Sequence, residues 1–152
     1  MNDWKKYKLS QLCEITSSKR IFSEEYVTEG VPFYRSKEII EKAFGIPITE
    51  SYFISDDRFN EIKNKYGSPK DGEILISSVG VRSGIPYLIK KDDGEFYFKD
   101  GNLIWLKEFC KDLDSQYLLY WLQSSVGQNS LMSMMIGSAQ PALTIIGVSE
   151  LS

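Results

Sequence analysis

The sequence contains no histidine, and this absence excludes many enzyme mechanisms. A Ser-His-Asp triad, a Cys-His pair, a histidine general base and a histidine-ligated metal all require an imidazole ring. Only two cysteines occur, Cys13 and Cys110, which are too few for a four-cysteine zinc site. Their apolar neighbours Leu12 and Phe109 predict ordinary buried thiols, and we expect no metal and no cofactor.

Sequence signatures of nucleotide, methyl-donor and membrane sites are also missing. The chain has no Walker A glycine-lysine motif and no Gly-x-Gly-x-x-Gly. The Asn/Asp-Pro-Pro-aromatic tetrapeptide expected of methyltransferases that act on amino groups of DNA bases is absent too. No run of 18 apolar residues occurs, and the start Met1-Asn-Asp-Trp4 lacks a signal-peptide hydrophobic region. We therefore expect a cytoplasmic protein with no membrane segment.

The composition is that of a globular domain with an uneven distribution of charge. A chain of 152 residues with 42% hydrophobic residues predicts a single domain over 1–152. The net charge is −3, from 18 basic and 21 acidic residues, which looks unpromising for nucleic-acid binding. However, every basic residue lies at or before Lys111, and the chain from residue 112 onward has three acids and no base. The net charge therefore hides a neutral region that contains all the basic residues.

Short apolar segments bounded by turn residues predict strands through the centre of the chain. The predicted strands are Val31–Arg35, Ile46–Thr49, Glu73–Ser77, Ile85–Lys90, Phe96–Phe98 and Leu103–Leu106. Because Pro47 lies in the second of these, that strand is expected at a sheet edge. The turn signatures at Pro69–Gly72 and Asp92–Gly94 predict a mainly antiparallel, twisted sheet of hairpins.

Capping residues and helical periodicity predict short helices around this sheet. Ser10 is expected to cap one helical turn, Ser36 a helix over Lys37–Ala43, and Ser55 a helix with Phe59 and Ile62 on its buried face. The last quarter has helical periodicity after Asp114, and its aromatic residues Tyr117, Tyr120 and Trp121 are expected to pack in the core. The predicted strands come first along the chain and most of the helical segments come late, and this order favours an α+β fold with a helical C-terminal part.

Two alternatives to nucleic-acid binding stay open from the residues alone. A small metal-dependent nuclease needs two or three carboxylates, and Glu61, Asp71 and Glu73 have suitable chemistry. The simpler interpretation is that Glu61 lies on a solvated helix face and that Asp71 belongs to a turn. A protein-interaction module is the other alternative, in which the base-free segment Asp112–Ser152 binds a partner helix.

Polar and basic side chains recur among small residues in successive predicted loops, where recognition sites are common. Arg and Lys can pair with guanine edges or phosphates, and Asn and Gln can pair with adenine. The candidate DNA-binding residues are Lys19, Arg20, Arg35, Ser36, Lys37, Ser78, Arg82, Ser83, Lys99, Asn102, Ser138 and Gln140.

The order of these segments resembles one target recognition domain of the specificity subunit of type I restriction-modification systems. The matching segments are Trp4–Ile15, Gly30–Ile39, Ile54–Asp57, Pro69–Ser77, Lys99–Asn102 and Gly137–Thr144, followed by Leu151. Each segment alone has little specificity, but together they run in the family order over nearly the whole chain.

The resemblance implies a non-catalytic component that binds double-stranded DNA. Members of the family usually contain two such domains separated by long helices, and each domain reads one half of a split, asymmetric site. Methylation and restriction subunits carry out the chemistry and are the implied partners. This chain has one domain and stops at Ser152, before the expected helix, so we expect it to be a fragment or half of a two-domain subunit.

Overall fold

The computed structural model describes residues 9–78, 83–111 and 113–133. Its helices are α1 (Leu9–Leu12), α2 (Ser36–Ala43), α3 (Asp56–Tyr66), α4 (Ser115–Gln123) and α5 (Ser125–Ser133). Its strands are β1 (Glu14–Thr16), β2 (Tyr26–Val27), β3 (Val31–Tyr34), β4 (Tyr52–Ile54), β5 (Ile74–Ser77), β6 (Pro86–Leu88), β7 (Tyr97–Phe98) and β8 (Leu103–Lys107). Short 3-10 turns lie at Ser23–Glu25 and Lys91–Asp93. No helix in the described part of the chain has the length and apolar character needed to cross a membrane.

The first sheet has the strand order β1-β8-β5-β6, and all its pairings are antiparallel. Alternate residues of β5 face opposite sides of this sheet, as the two-residue period of a strand requires. Ile74 and Ile76 pack on one side with Leu118 and Leu122 of α4. Leu75 packs on the other side in a cluster that is rich in aromatic residues. The four residues of β5 are all buried, which explains the continuous apolar run in this part of the sequence.

The second sheet has the strand order β2-β4-β3-β7. Here β3 and β7 pair in parallel, with Phe33 beside Tyr97, whereas the other pairings are antiparallel. Phe59 and Ile62 of α3 pack on this sheet, in a cluster that also contains Phe33 and Tyr97. The α+β class and the dominance of antiparallel pairs are confirmed. The single sheet of hairpins is replaced by two sheets, because β3 and β7 pair across a long sequence separation.

Two connections pass from one sheet to the other near the predicted site. The chain leaves the first sheet after β1 and enters the second at β2, and it returns from β7 to β8 through residues 99–102. Because β7 and β8 belong to different sheets, this four-residue loop lies where the two sheets meet.

Several helix boundaries follow the sequence prediction. The Ser55 hydroxyl accepts a hydrogen bond from the Arg58 amide at 3.1 Å and begins α3. Gly67, with a φ of 85°, ends that helix in a backbone conformation that favours glycine. The Asp114 carboxylate accepts a hydrogen bond from the Gln116 amide at 2.9 Å and begins α4. The prediction for Ser10 is wrong, because α1 begins at Leu9 and Ser10 lies inside the helix instead of at its N-cap.

Two predictions around α2 are wrong. The N-cap of α2 is Arg35 rather than Ser36, because the buried Glu38 carboxylate accepts a hydrogen bond from the Arg35 amide at 2.9 Å. Residues 46–49 form no strand. The Ile46 amide donates to the Glu41 carbonyl at 2.8 Å, and this contact folds the chain back after α2. The strand that pairs with β2 and β3 comes later, at Tyr52–Ile54.

The prediction of core packing is also wrong for two aromatic residues of α4. Tyr117 and Tyr120 are 65% and 62% exposed, because Leu118 and Leu122 occupy the buried face of the helix. Trp121 packs partly against the first core cluster, as expected. Cys13 is buried, and its burial, together with the nearby Cys110, raises the pKa of its thiol to about 12. Cys110 is only half-buried.

Candidate nucleic-acid interface

The β7–β8 loop connects three of the segments that contain predicted DNA-binding residues. The Lys99 amide donates to the Tyr34 carbonyl at 2.8 Å, and the Asn102 side-chain oxygen accepts from the Ser36 amide at 3.4 Å. The Asn102 carbonyl accepts from the Ser78 amide at 2.9 Å. The Ser78 hydroxyl donates to the Gly101 carbonyl at 3.0 Å. The ends of β3 and β5 are thereby held against this loop.

The connection between β1 and β2 lies against the two strands that flank this loop, at the end of β7 and the start of β8. The Ser17 hydroxyl donates to the Leu103 carbonyl at 3.2 Å, and the Ser18 hydroxyl donates to the Phe98 carbonyl at 2.7 Å. The Lys19 amide donates to the Tyr97 hydroxyl at 2.5 Å. These bonds fix the backbone immediately before Arg20. Ser17, Ser18 and Tyr97 are not among the residues predicted from the sequence, although the two serines directly before Lys19 are a signal that could have indicated the first two.

We call this surface the loop rim and define it by the predicted residues that the structure describes. They are Lys19, Arg20, Arg35, Ser36, Lys37, Ser78, Ser83, Lys99 and Asn102. Ser83 lies near the end of the connection between β5 and β6, next to Gly84, whose amide donates to the Ser77 carbonyl at 2.7 Å. The predicted residues Arg82, Ser138 and Gln140 lie outside the described residues.

Three cationic side chains of the loop rim are exposed to solvent. Within the described ranges of the chain, no carboxylate lies within 4.0 Å of the charged groups of Lys19, Arg20 or Lys37. The Lys19 ammonium lies 4.5 Å from the centre of the Tyr66 ring, and the Arg20 guanidinium lies 5.3 Å from that of Phe22. Such cation–π contacts orient a charge without neutralising it.

Arg35 has very different surroundings from these three residues. Its guanidinium donates to both oxygens of Glu38, at 3.1 and 2.8 Å, and to Glu50 at 3.1 Å. The Glu38 side chain is completely buried, whereas that of Arg35 is 28% exposed. The hydrogen bond with Glu38 raises the pKa of Arg35 although burial acts in the opposite direction. Arg35 therefore holds the first turn of α2, which carries Ser36 and Lys37.

Other basic residues form ion pairs away from the β7–β8 loop. Lys42 pairs with Asp93 at 2.8 Å, and Lys63 pairs with Glu95 at 2.5 Å. Arg58 bridges two carboxylates, those of Glu25 at 2.8 Å and Glu61 at 2.7 Å. We call the basic members of these pairs, Lys42, Arg58 and Lys63, the ion-paired group.

The three carboxylates of the nuclease alternative have other partners or no common site. Glu61 pairs with Arg58, and Asp71 is exposed in the turn before β5. Glu73 accepts hydrogen bonds from the Trp105 indole and the Lys70 amide, both at 2.9 Å, and burial raises the pKa of its carboxyl. Among the residues that the structure describes, no group of three His, Cys, Asp or Glu side chains is placed to hold a metal ion.

Comparison with known proteins finds similarity to components of type I restriction-modification systems. The chain is 31% identical over 99 residues to a Haemophilus influenzae protein described as a type I restriction enzyme specificity subunit, and the match covers 64% of this chain and 23% of that protein. The fold is similar to the S subunit of the type I restriction-modification system from M. genitalium, with a TM-score of 0.60, 16% identity and 95% of this chain covered. A structure described in terms of complex assembly and conformational transition of the type I R-M system is also similar, with a TM-score of 0.62, 20% identity and 95% of this chain covered.

The matched regions cover only part of each relative, since the chain spans 23% of the Haemophilus protein and 32% of each of the two solved chains. The family match, in contrast, covers almost all of this chain, over residues 1–151. The chain therefore belongs to the family of type I restriction modification DNA specificity domains.

Proposed function

We propose that this domain recognises one half of a bipartite DNA sequence through the loop rim. The observation that carries the proposal is the β7–β8 loop, which hydrogen-bonds segments far apart in the sequence that contain exposed cations and hydrogen-bonding groups. Membership of the specificity-domain family supports it. Base edges in the major groove distinguish sequences through such donors and acceptors.

The members of the loop rim have different roles in this proposal. Exposed Lys19, Arg20 and Lys37 contact DNA directly, and half-buried Lys99 and Asn102 contribute from the β7–β8 loop. Ser78 and Ser83 complete the rim at the end of β5. Ser78 is only 4% exposed, so its role is to hold the backbone of this loop. Arg35 holds α2, and Arg82, Ser138 and Gln140 complete the set of proposed contact residues.

The domain itself is non-catalytic in this proposal. Methylation and restriction subunits are the partners that methylate and cut the DNA, and residues 1–152 form a single recognition domain of a longer specificity subunit. An acidic chain can serve this role because its partners supply much of the attraction to phosphate, which makes the affinity of the isolated domain low. The nuclease alternative is not favoured, because Glu61 and Glu73 are bound to other residues.

A sequence-selection experiment tests the proposal. The 152-residue chain is incubated with a random library of DNA duplexes at low salt, and the bound DNA is sequenced over several rounds. We expect enrichment of one short motif, and we expect a variant with Arg20 and Lys37 changed to alanine to lose or alter it. A double variant of the ion-paired group, Arg58→Ala with Lys63→Ala, removes the same two charges, serves as the matched control and should select the same motif. The absence of any motif, both for the isolated chain at low salt and for the chain assembled with methylation subunits, contradicts the proposal.

The protein-interaction alternative is compatible with this function. Tyr117, Tyr120 and Met132 are exposed on the uncharged helices α4 and α5. Changing the two tyrosines to serine and measuring both DNA selection and binding of methylation subunits separates the two properties. Loss of DNA selection with normal partner binding would assign these tyrosines to DNA recognition instead.

A further inference from the structure

An exposed carboxylate lies among the basic residues of the loop rim. Glu50 precedes β4, and its side chain is 55% exposed. One of its oxygens accepts hydrogen bonds from the Arg35 guanidinium at 3.1 Å and from the Tyr52 hydroxyl at 3.3 Å. Nothing in the sequence singles out Glu50, since it follows the predicted strand Ile46–Thr49 and belongs to no motif.

The surroundings of Glu50 are strongly basic. The charge of Lys37 lowers the pKa of the Glu50 carboxyl, and the hydrogen bonds from Tyr52 and Arg35 act in the same direction. Lys37 is an exposed member of the loop rim, and Arg35 begins the helix that carries it. The carboxylate is therefore bound to one cation, Arg35, and lies within the electrostatic influence of a second, Lys37, on the surface that faces DNA in the proposed function.

The two carboxylates that bind Arg35 differ in how easily they can be displaced. Glu38 is completely buried and binds Arg35 through both of its oxygens. Glu50 is exposed and binds through a single oxygen, and solvated ion pairs of this kind contribute little to stability. A phosphate oxygen makes the same kind of hydrogen bond to a guanidinium as a carboxylate oxygen does. Glu50 can therefore be replaced by a phosphate without disturbing the Arg35–Glu38 pair.

We propose that Glu50 occupies the position of a DNA phosphate on the loop rim and thereby lowers the affinity of the domain for DNA of arbitrary sequence. Glu50 is then a specificity-determining residue. Any duplex that binds the rim must displace this carboxylate or lie close to it, at an electrostatic cost between the carboxylate and the DNA phosphates. Only the correct sequence supplies base contacts that compensate for this cost. The inference rests on the proposed function, because it requires that the loop rim faces DNA.

The variant Glu50→Gln tests the inference, because glutamine keeps the side-chain oxygen that accepts from Arg35 and Tyr52 but removes the charge. Binding of the 152-residue chain to a short random-sequence duplex is measured by fluorescence anisotropy at several salt concentrations. We expect binding about 5–10-fold tighter than that of the wild type, and a salt dependence steeper by about one phosphate contact. Selection from a random library should yield a less pronounced motif.

The control is Glu61→Gln, which makes the same change in charge at an arginine-paired glutamate on α3. This variant should change the affinity by less than about 2-fold, because surface charges away from the contact are screened by salt. Equal effects of the two substitutions overturn the inference, as does unchanged or weaker binding by Glu50→Gln. In particular, weaker binding to the selected motif alone indicates that Glu50 reads a base.

The proposed function and the inference can fail separately. If the wild-type chain selects a motif but Glu50→Gln has no effect on binding, the proposed function is supported and the inference about Glu50 is wrong. If the chain selects no motif but Glu50→Gln binds random duplex more tightly, the proposed sequence recognition is wrong. The inference that Glu50 occupies the position of a phosphate is then still supported. A chain that binds no duplex with either residue at this position overturns both.

Discussion

The basic residues of this domain have two contrasting environments. In the ion-paired group, Lys42, Arg58 and Lys63 each lie within hydrogen-bonding distance of a carboxylate, and each pairs with a carboxylate outside its own helix. In the loop rim, Lys19, Arg20 and Lys37 are exposed. The difference shows why the neutral overall charge of the first 111 residues says little about DNA binding. Acidic residues neutralise the bases that hold the fold, which leaves a local excess of cations at the rim.

Arg35 belongs to the loop rim but is ion-paired like the other group. We expect the largest effect on stability when its buried partner Glu38 is changed. Changing Glu38 to alanine leaves the Arg35 amide and guanidinium without their buried acceptor, and we expect the free energy of unfolding to fall by about 2–3 kcal/mol. The value lies below that of a fully buried pair because water reaches part of Arg35. Urea denaturation measures it. A loss below about 0.5 kcal/mol would show that Glu50 alone suffices to hold Arg35.

Substitutions of the exposed cations of the loop rim should change DNA sequence preference and leave stability almost unchanged. For Arg20→Ala we expect the sequence preference of the assembled methylation complex to change by about 1–3 kcal/mol, as for the loss of one base contact. Its stability should change by less than about 0.5 kcal/mol, because Arg20 is exposed. Methylation of DNA libraries and urea denaturation measure the two effects. A large loss of stability with unchanged preference would place Arg20 with the residues that hold the fold.

The pair between Lys42 of the ion-paired group and Asp93 should show a pH-dependent contribution to stability. Although burial opposes the shift, hydrogen bonds from Lys42, Tyr87 and the Lys90 amide lower the pKa of Asp93 below its value in the unfolded chain. Its contribution to stability is therefore complete above the unfolded pKa, near 4, and is lost as the pH falls through the folded pKa. We expect Asp93→Asn to cost about 1 kcal/mol at pH 7 and much less near pH 2. A cost that is independent of pH would mean that packing, not charge, stabilises this contact.

The smallest expected effect concerns Glu73, whose charge is unfavourable in the fold. Burial raises the pKa of its carboxyl, so its stabilising contribution is complete below the unfolded pKa and is lost as the pH rises through the folded pKa. Glutamine keeps an oxygen for the Trp105 indole without the charge, and we expect Glu73→Gln to raise stability at pH 7 by less than about 1 kcal/mol. Thermal unfolding at pH 7 and pH 4 checks this. Destabilisation at pH 7 would show that the charge itself is needed there.

Local signals in the sequence predicted the parts of the fold that depend on local interactions. The Ser55 and Asp114 caps and the buried strand β5 were predictable because each depends on residues a few positions apart. The prediction failed at Ile46–Thr49, where the chain folds back on α2 instead of pairing. It also failed at Tyr117 and Tyr120, because helical periodicity does not reveal how wide a face the sheet covers.

The sequence by itself determined the α+β class, the family resemblance and the absence of histidine chemistry, since these depend on composition and on the order of segments. Only the tertiary structure decided that β3 pairs with β7, that Asn102 contacts both Ser36 and Ser78, and that Glu38 and Glu50 bind Arg35. The physical reason is that these contacts join residues from different strands and loops. Which cations are neutralised depends on distances of a few ångströms between side chains, and such distances are set by the packing of the two sheets.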